Sequence, residues 1–299
     1  MYEQISSNKI KSVLLVMFFA AFVVAVGAVF SYVFEWGYVG TAAAFVLVVV
    51  MSFTSYWYSD RIVLSMSGAR PVDKATEPDV VNLVEGVAIA AGLPVPKTYI
   101  IDDPAPNAFA TGRNPEHAAI AITTGLRDKL GRYELEGVIA HEMAHVKNYD
   151  TLVQTLAAVM AGTVVLLSDW MVRSFWWGGG RRRRGGQGGG QVGALLMVVG
   201  LVMLVLAPLF ASIIQMAISR KREFLADANG AFLTRNPPML ASALRKIAAD
   251  KNQLRRANKA TESLYIYNPL KDIRNGRGLN ALFNTHPPIE ERVRRLEEM

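Results

Sequence analysis

Ser12 to Phe34 reads SVLLVMFFAAFVVAVGAVFSYVF, an apolar run without a single charge. At about 1.5 Å of rise per helical residue, such a run crosses a hydrocarbon core about 30 Å thick. Gly37 to Tyr56 is a second uncharged run, separated from the first only by Glu35 and Trp36. So short a connection predicts a helical hairpin. A cleaved leader would have a shorter apolar core and a small-residue cleavage site, and the first run shows neither. Leu152 to Ser168 and Val192 to Ser219 are further apolar segments, and Pro208 inside the latter predicts a kink. Between them, residues 178–191 read GGGRRRRGGQGGGQ, which cannot build a core and predicts a flexible basic loop.

The polar stretches carry the patterns of folded protein. Thr76-Glu77-Pro78-Asp79 starts a helix and Gly92-Leu93-Pro94 stops it, with Val80, Val81, Leu83, Val84 and Val87 as its apolar face. Lys97 to Ile101 (KTYII) is β-prone and Asp102-Asp103-Pro104 breaks it. His117 to Thr123 (HAAIAIT) is a second strand candidate, so a sheet of three or so strands beside helices is expected. Helices resume near Tyr133. The chain therefore divides into a transmembrane hairpin at 1–57, a first folded polar segment at 58–150, a second hydrophobic hairpin at 151–219 and a second folded polar segment at 220–299.

Composition sharpens this picture. Of 299 residues, 52% are hydrophobic and 19% charged, an apolar shift concentrated in the long runs. The net charge of +7 is explained by basic loops beside membrane spans, so no nucleic-acid partner is expected. There is no cysteine, which removes disulfides, thiol nucleophiles and cysteine-rich metal sites together. Lys9 and Lys11 before the first span favour a cytoplasmic N-terminus. Two full hairpins then put 58–150 and 220–299 in the cytoplasm as well. Arg181 to Arg184 would then face outward, against the positive-inside rule. The reading adopted is that the second hairpin crosses and the first dictates orientation; the other is that it does not fully cross.

Residues 132–150 read RYELEGVIAHEMAHVKNYD, and Leu135, Val138, Ile139 and Val146 recur at helical spacing. His141 and His145 are one turn apart on that helix, which lets two imidazoles reach one Zn²⁺. Glu142 lies beside them, placed to take a proton from an activated water, the chemistry of an H-E-x-x-H helix. The bland reading is two hydrogen-bonded histidines on an ordinary helix. Against it, two of the chain's 4 histidines fall in this motif. A catalytic zinc needs a third protein ligand and an open position. The candidates are His117, His286 or a carboxylate. Glu223 and Asp227 in SRKREFLADANG (219–230) sit four apart on one helical face. Glu223 could bind the metal while Asp227 accepts a hydrogen bond from a zinc histidine. Equally, the two could be a solvated acidic pair balancing Arg220, Lys221 and Arg222.

These stretches, with NAFATGRNPEHAAIAITTGL (107–126), GVIAHEMAHVKNYD (137–150), SRKREFLADANGA (219–231) and THPPIEERVRRL (285–296), resemble the HtpX-like membrane zinc metalloproteases, relatives of the CAAX prenyl proteases. The resemblance spans nearly the whole chain. It implies a multi-pass α-helical membrane protein whose mostly helical, zincin-like (gluzincin) catalytic domain contains a small antiparallel-edged β-sheet. It implies one Zn²⁺ per chain, Glu223 as third ligand, and degradation of damaged or misassembled membrane proteins at the cytoplasmic membrane. Asn107, Ala108 and Phe109, with Ala118 and Ala119 in the strand that follows, resemble the family's active-site edge, where an extended substrate would pair. A structural turn and core strand is the alternative. His286 could reach the site and stabilise an oxyanion, or it could fix the last helix. His117 receives no catalytic role. The rival functions are an intramembrane protease, a zinc-binding membrane scaffold or chaperone without hydrolysis, and a transporter using Asp169. Charges flanking the H-E-x-x-H helix argue against the first, Glu142 against the second, and the lack of an internal repeat against the third.

Overall fold

The computed structural model describes residues 2–33, 37–163, 220–257, 261–268 and 287–299. Two long helices come first, α1 (Tyr2–Val33) and α2 (Gly37–Ser67). Both are long and apolar enough to cross a membrane, and within the described residues 2 helices meet that test. They pack on each other while Val13, Leu14, Met17, Phe45, Val46, Val50 and Phe53 remain exposed. The second helix runs past Tyr56 without a break and reaches the catalytic domain at Ser67. The boundary expected at 57/58 therefore falls inside a continuous helix.

A short β1 (Ala69–Pro71) follows, then α3 (Pro78–Ala91), β2 (Lys97–Ile101), β3 (Ala108–Thr111) and β4 (Ala119–Thr123). The α3 helix begins with proline in its first turn and ends at Gly92, whose φ of 67° suits glycine. The 4-stranded sheet has the order β1-β2-β4-β3. β2 and β4 are parallel, and each edge strand is antiparallel to its neighbour. β1 is too short for a sequence pattern to reveal, and it was not among the strands expected.

Alternation decides which core each strand residue joins. Ile100, Ala108, Ala110, Ile120 and Ile122 face one core with α3. Ile101, Phe109, Ala119 and Ala121 face another, with Val63 and Leu64 from the end of α2. Covered on both faces, β4 is buried along its length, which is why it reads as a nearly continuous apolar run.

The remaining helices are α4 (Thr124–Lys129), α5 (Arg132–Lys147), α6 (residues 150–163), α7 (Arg220–Thr234), α8 (Pro237–Ala249) and α9 (Ile289–Glu297). α6 begins the second expected hairpin. Its Leu152, Val153, Leu156 and Met160 pack with Leu15 and Phe19 of α1 and Val48 of α2. Asp169, Trp176, Trp177, the arginine loop at 178–191 and the segment Val192 to Ser219 lie outside the described residues. So does His286.

Candidate metal centre

α5 lies across the cores with nearly its whole circumference covered, and His141, Glu142 and His145 are all buried. α7 packs against it and presents Glu223, Asp227 and Gly230, spaced so that one helical face carries all three. A Cβ at Gly230 would lie 2.9 Å from the backbone nitrogen of His141. Glycine thus permits the close approach that brings the carboxylates of α7 to the histidines of α5.

The donor atoms converge. His141 Nε2 and His145 Nε2 are 3.2 Å apart. Glu223 Oε1 is 3.5 Å from His145 Nε2, and its Oε2 is 3.9 Å from His141 Nε2. Ligands about 2.0–2.1 Å from a tetrahedral zinc are separated from one another by about 3.3 Å. The three side chains therefore fit one such ion. Their chemistry fits too, since two imidazoles and a carboxylate leave a fourth position open.

Each imidazole is turned towards this point by a carboxylate on its far nitrogen. Asp227 Oδ1 is 2.9 Å from His141 Nδ1. Asp150 Oδ2 is 3.0 Å from His145 Nδ1. Asp227 is in turn gripped by Arg292 of α9, a fully buried arginine. Its Nε donates to Oδ2 at 2.8 Å and its Nη2 to Oδ1 at 2.7 Å, while Nη1 donates to the Ile266 carbonyl at 3.0 Å.

Charge is distributed unevenly here. Burial disfavours the Asp227 carboxylate, but Arg292 and His141 outweigh it and bring its pKa down to about 2. Burial, helped by Arg292, holds His141 below the ordinary histidine value in spite of Asp227. Burial also opposes a charge on His145, yet Asp150, Glu223 and Glu142 together carry it up to about 9. Burial, reinforced by Glu223, pushes Glu142 up to about 7. A carboxyl poised near neutrality can both accept and return a proton. Glu142 Oε2 also accepts the Ala110 N–H at 2.8 Å, which ties it to β3.

β3 is the edge strand beside this centre. Asn107, just before it, is buried and donates from Nδ2 to the Tyr267 carbonyl at 2.9 Å. The Ala108 carbonyl accepts the Ile266 N–H at 3.0 Å, and Phe109 stacks edge-on with Tyr265 at 5.1 Å. Ala118 and Ala119 are placed differently from the expected edge. Ala119 opens β4, which is paired on both sides, with Lys97 on one and Thr111 on the other. The edge belongs to β3 because the chain doubles back at Gly112, putting 108–111 outside 119–123. His117 stands exposed in a short 3-10 turn, its Nδ1 2.7 Å from Asn114 Oδ1.

Asp150, Arg292 and Ala110 were not singled out from the sequence. Arg292 left a trace, since it shares the Ile289, Val293 and Leu296 face of α9, where a charge must be buried with a partner. Asp150 left none, because a turn rather than helical spacing returns it to His145.

An H-E-x-x-H helix facing a glutamate from a later helix, with both histidines oriented by carboxylates, defines a metalloprotease-type centre. The model of Peptidase family M48 matches residues 74–299, and the chain belongs to that family. It is a metalloprotease, a hydrolase. A Protease HtpX homolog of Dictyoglomus turgidum is 47% identical over 300 residues, covering 100% of this chain and 94% of the relative. Another, of Streptococcus gordonii, is 42% identical over 300 residues and covers 100% of both. Among solved structures, S. mikatae Ste24p matches with a TM-score of 0.48 and 17% identity, over 99% of this chain and 67% of that one.

Proposed function

We propose that the chain is a zinc-dependent endopeptidase anchored in the cytoplasmic membrane by several spans, with its catalytic domain in the cytoplasm. In this reading it cleaves locally unfolded segments of misfolded or damaged membrane proteins. The observation that carries the chemistry is the convergence of His141, His145 and Glu223 beside a buried Glu142 held against an edge strand. One bound Zn²⁺ supplies Lewis-acid activation of a water and of the scissile carbonyl. Glu142 takes the water's proton and delivers it to the leaving amine nitrogen. Asp227 and Asp150 hold the imidazoles in the tautomer and orientation that ligation requires.

The substrate pairs as an extended strand with the outer edge of β3, through Asn107, Ala108 and Phe109. The Ala108 carbonyl now accepts from Ile266, so pairing there requires residues 265–267 to give way. Ala118 lies just before β4, and Ala119 within it pairs with Thr111 of β3. His286 is assigned to the oxyanion, the alternative being that it fixes the last helix to the domain. Membrane placement is supported by the exposed apolar faces of α1 and α2. Tyr56, Trp57 and Tyr58 on α2 suit an interfacial belt, with Arg113 over the Trp57 ring at 4.5 Å.

The test is made on the full chain purified in detergent. One Zn²⁺ per chain is expected, and His141→Ala or His145→Ala should lose most of it. Glu142→Gln should keep zinc and lose about 10²–10⁴-fold or more of unfolded-casein cleavage. Near-normal turnover by that variant would overturn the mechanism. Zinc binding without any hydrolysis by the unaltered chain would favour a scaffold or chaperone. Because native cysteine is absent, cysteines introduced at Ser7, Gly188 and Asn275 report topology in intact cells. Labelling of positions 188 and 275 from one side would show that the second hairpin does not cross.

A further inference from the structure

The first membrane helix places a buried asparagine against the metal centre. Asn8, only 2% exposed, sits near the start of α1, in the polar turns that precede its apolar run. Its Nδ2 donates at 2.8 Å to the Asn148 carbonyl and at 2.8 Å to Asp150 Oδ1. Its Oδ1 accepts from Arg222 Nη1 at 3.1 Å. Both amide hydrogens and the carbonyl oxygen are thus engaged, which fixes the amide's orientation. The same Arg222 nitrogen reaches Asp150 Oδ1 at 3.1 Å. Asp150 turns its other oxygen, Oδ2, to His145 Nδ1 at 3.0 Å.

The backbone explains why Asp150 needs such holding. α5 ends at Lys147, with Asn148 as its cap, and the chain reverses through Tyr149, whose φ of 60° lies in the left-handed region that bulky residues avoid. That turn carries Asp150 back to His145. Residues of α1 brace it on both sides: Asn8 binds the Asn148 carbonyl, and Lys9 Nζ lies 4.7 Å from the centre of the Tyr149 ring. Polar residues are ordinary in these first turns of α1, but burying an amide is unfavourable unless it is fully bonded, as Asn8 is.

We propose that Asn8 is a positioning residue for His145, acting through Asp150, so that the N-terminal membrane helix is part of the catalytic machinery as well as its anchor. The inference rests on His145 being a metal ligand. Asn8 touches neither substrate nor metal. It holds one oxygen of Asp150, and the other is thereby aimed at the imidazole. Arg222 closes the ring from α7, the helix that also supplies Glu223. Both halves of the site are therefore referred to α1.

The experiment is a double-mutant cycle on the full chain in detergent, read by zinc affinity in competition with a chelator. Loss of a group that orients a ligand weakens zinc affinity about 10–100-fold. Asp150→Asn is expected in that range. Asn8→Leu, which matches the side chain in size and suits a helix, is expected near its lower end. In the double variant the two effects should overlap rather than multiply, because Asn8 works through Asp150. Cobalt substituted for zinc should show the same shift in its visible absorption bands in either single variant. Unchanged zinc affinity in Asn8→Leu, or full multiplication of the two losses, overturns the proposal. Should Asn8→Leu not yield folded protein, Asn8→Ser is carried through the same cycle with the same criteria. An unaltered chain that binds no zinc would instead defeat the metal reading itself, so the two failures are told apart.

Discussion

The two histidines of the centre are a turn apart on one helix and are oriented by the same kind of group, yet their surroundings differ. On the His141 side, Asp227 is clamped by both arms of a fully buried guanidinium. Its charge is matched before it reaches the imidazole, and His141 stays below its ordinary pKa, chiefly through burial. On the His145 side, Asp150 shares one oxygen between Arg222 and Asn8, while Glu223 and Glu142 stand near. Anionic groups win there, and the imidazole is carried up to about 9. A carboxylate behind a histidine does not by itself decide the histidine's charge: burial, with Arg292, holds His141 down, whereas Asp150, Glu223 and Glu142 together outweigh the burial of His145. The His141 side is a closed structural clamp tying α5, α7 and α9 together. The His145 side is a ring of polar contacts through Asn8 and Arg222 that leads to the membrane helix.

The sharpest way to break this contrast is to remove the clamp. Arg292→Leu leaves Asp227 buried without its counter-ion, and breaking a buried pair in this way costs about 3–5 kcal/mol. Asp227→Asn strands the guanidinium and should cost a similar amount, with zinc affinity falling as well. Asp150→Asn on the other side should weaken zinc binding by about 10–100-fold with a smaller change in melting temperature, because Arg222 is partly exposed and keeps Asn8 as a partner. Thermal unfolding and zinc titration on the same samples separate the two. Equal losses of stability on the two sides would end the distinction. Replacing both partners, as Arg292→Met with Asp227→Leu, should regain much of the stability without regaining zinc affinity. A stability deficit undiminished in that double variant would mean that the clamp is more than a matched pair.

How much of this was legible beforehand follows from the length scale of each feature. The H-E-x-x-H helix and the pairing of Glu223 with Asp227 are local patterns with a fixed period, and the sequence displays them. The apolar runs of α1 and α2 are legible for the same reason. Asp150 is invisible because its approach to His145 depends on a left-handed turn at Tyr149, a residue type that gives no warning of it. The two Arg292 bonds to Asp227 join helices far apart in the chain, and only α9's apolar stripe marks the arginine for burial. β3 shows why edges are hard to assign. The apolar pattern marked residues near 118 as a strand, but pattern alone does not say which strand lies outermost.

Close packing around His141 offers the next sharpening of the comparison. Gly230→Ala would set a Cβ 2.9 Å from the His141 backbone nitrogen, between two helices that cannot yield independently. Overpacking of this kind costs about 1–3 kcal/mol, and the displaced histidine should bind zinc more weakly. Gly86→Ala is the control. It lies in α3, where an added Cβ meets nothing within 4 Å, so the change should stabilise by about 0.5–1 kcal/mol. Thermal unfolding of both variants gives opposite signs if the glycine is needed for helix approach. A stabilised Gly230→Ala would show that the His141 side has room to spare.

The smallest expected effect uses a carboxylate remote from the metal to ask whether matched charge generally holds this fold together. Glu134 at the start of α5 is buried and accepts from the Gly131 N–H at 2.7 Å, Ser242 Oγ at 2.6 Å and Lys246 Nζ at 2.7 Å. Burial opposes its charge, but Lys246, Ser242 and Gly131 outweigh it and hold its pKa below the ordinary 4.5. A folded-state value below the unfolded one means that the contribution is fully present above about pH 4.5. It is lost as pH falls through the lowered folded value. Lys246 is half exposed and screened by water, so the pair differs from the sealed Asp227–Arg292 clamp and should be worth only about 1 kcal/mol. Glu134→Gln should therefore lower the melting temperature slightly at neutral pH, and the gap to the unaltered chain should close as the solution is acidified below about pH 4.5. A gap that stays constant with pH would assign the loss to packing or geometry rather than charge. In that case the distinction between sealed and open charge pairs would rest on the metal centre alone.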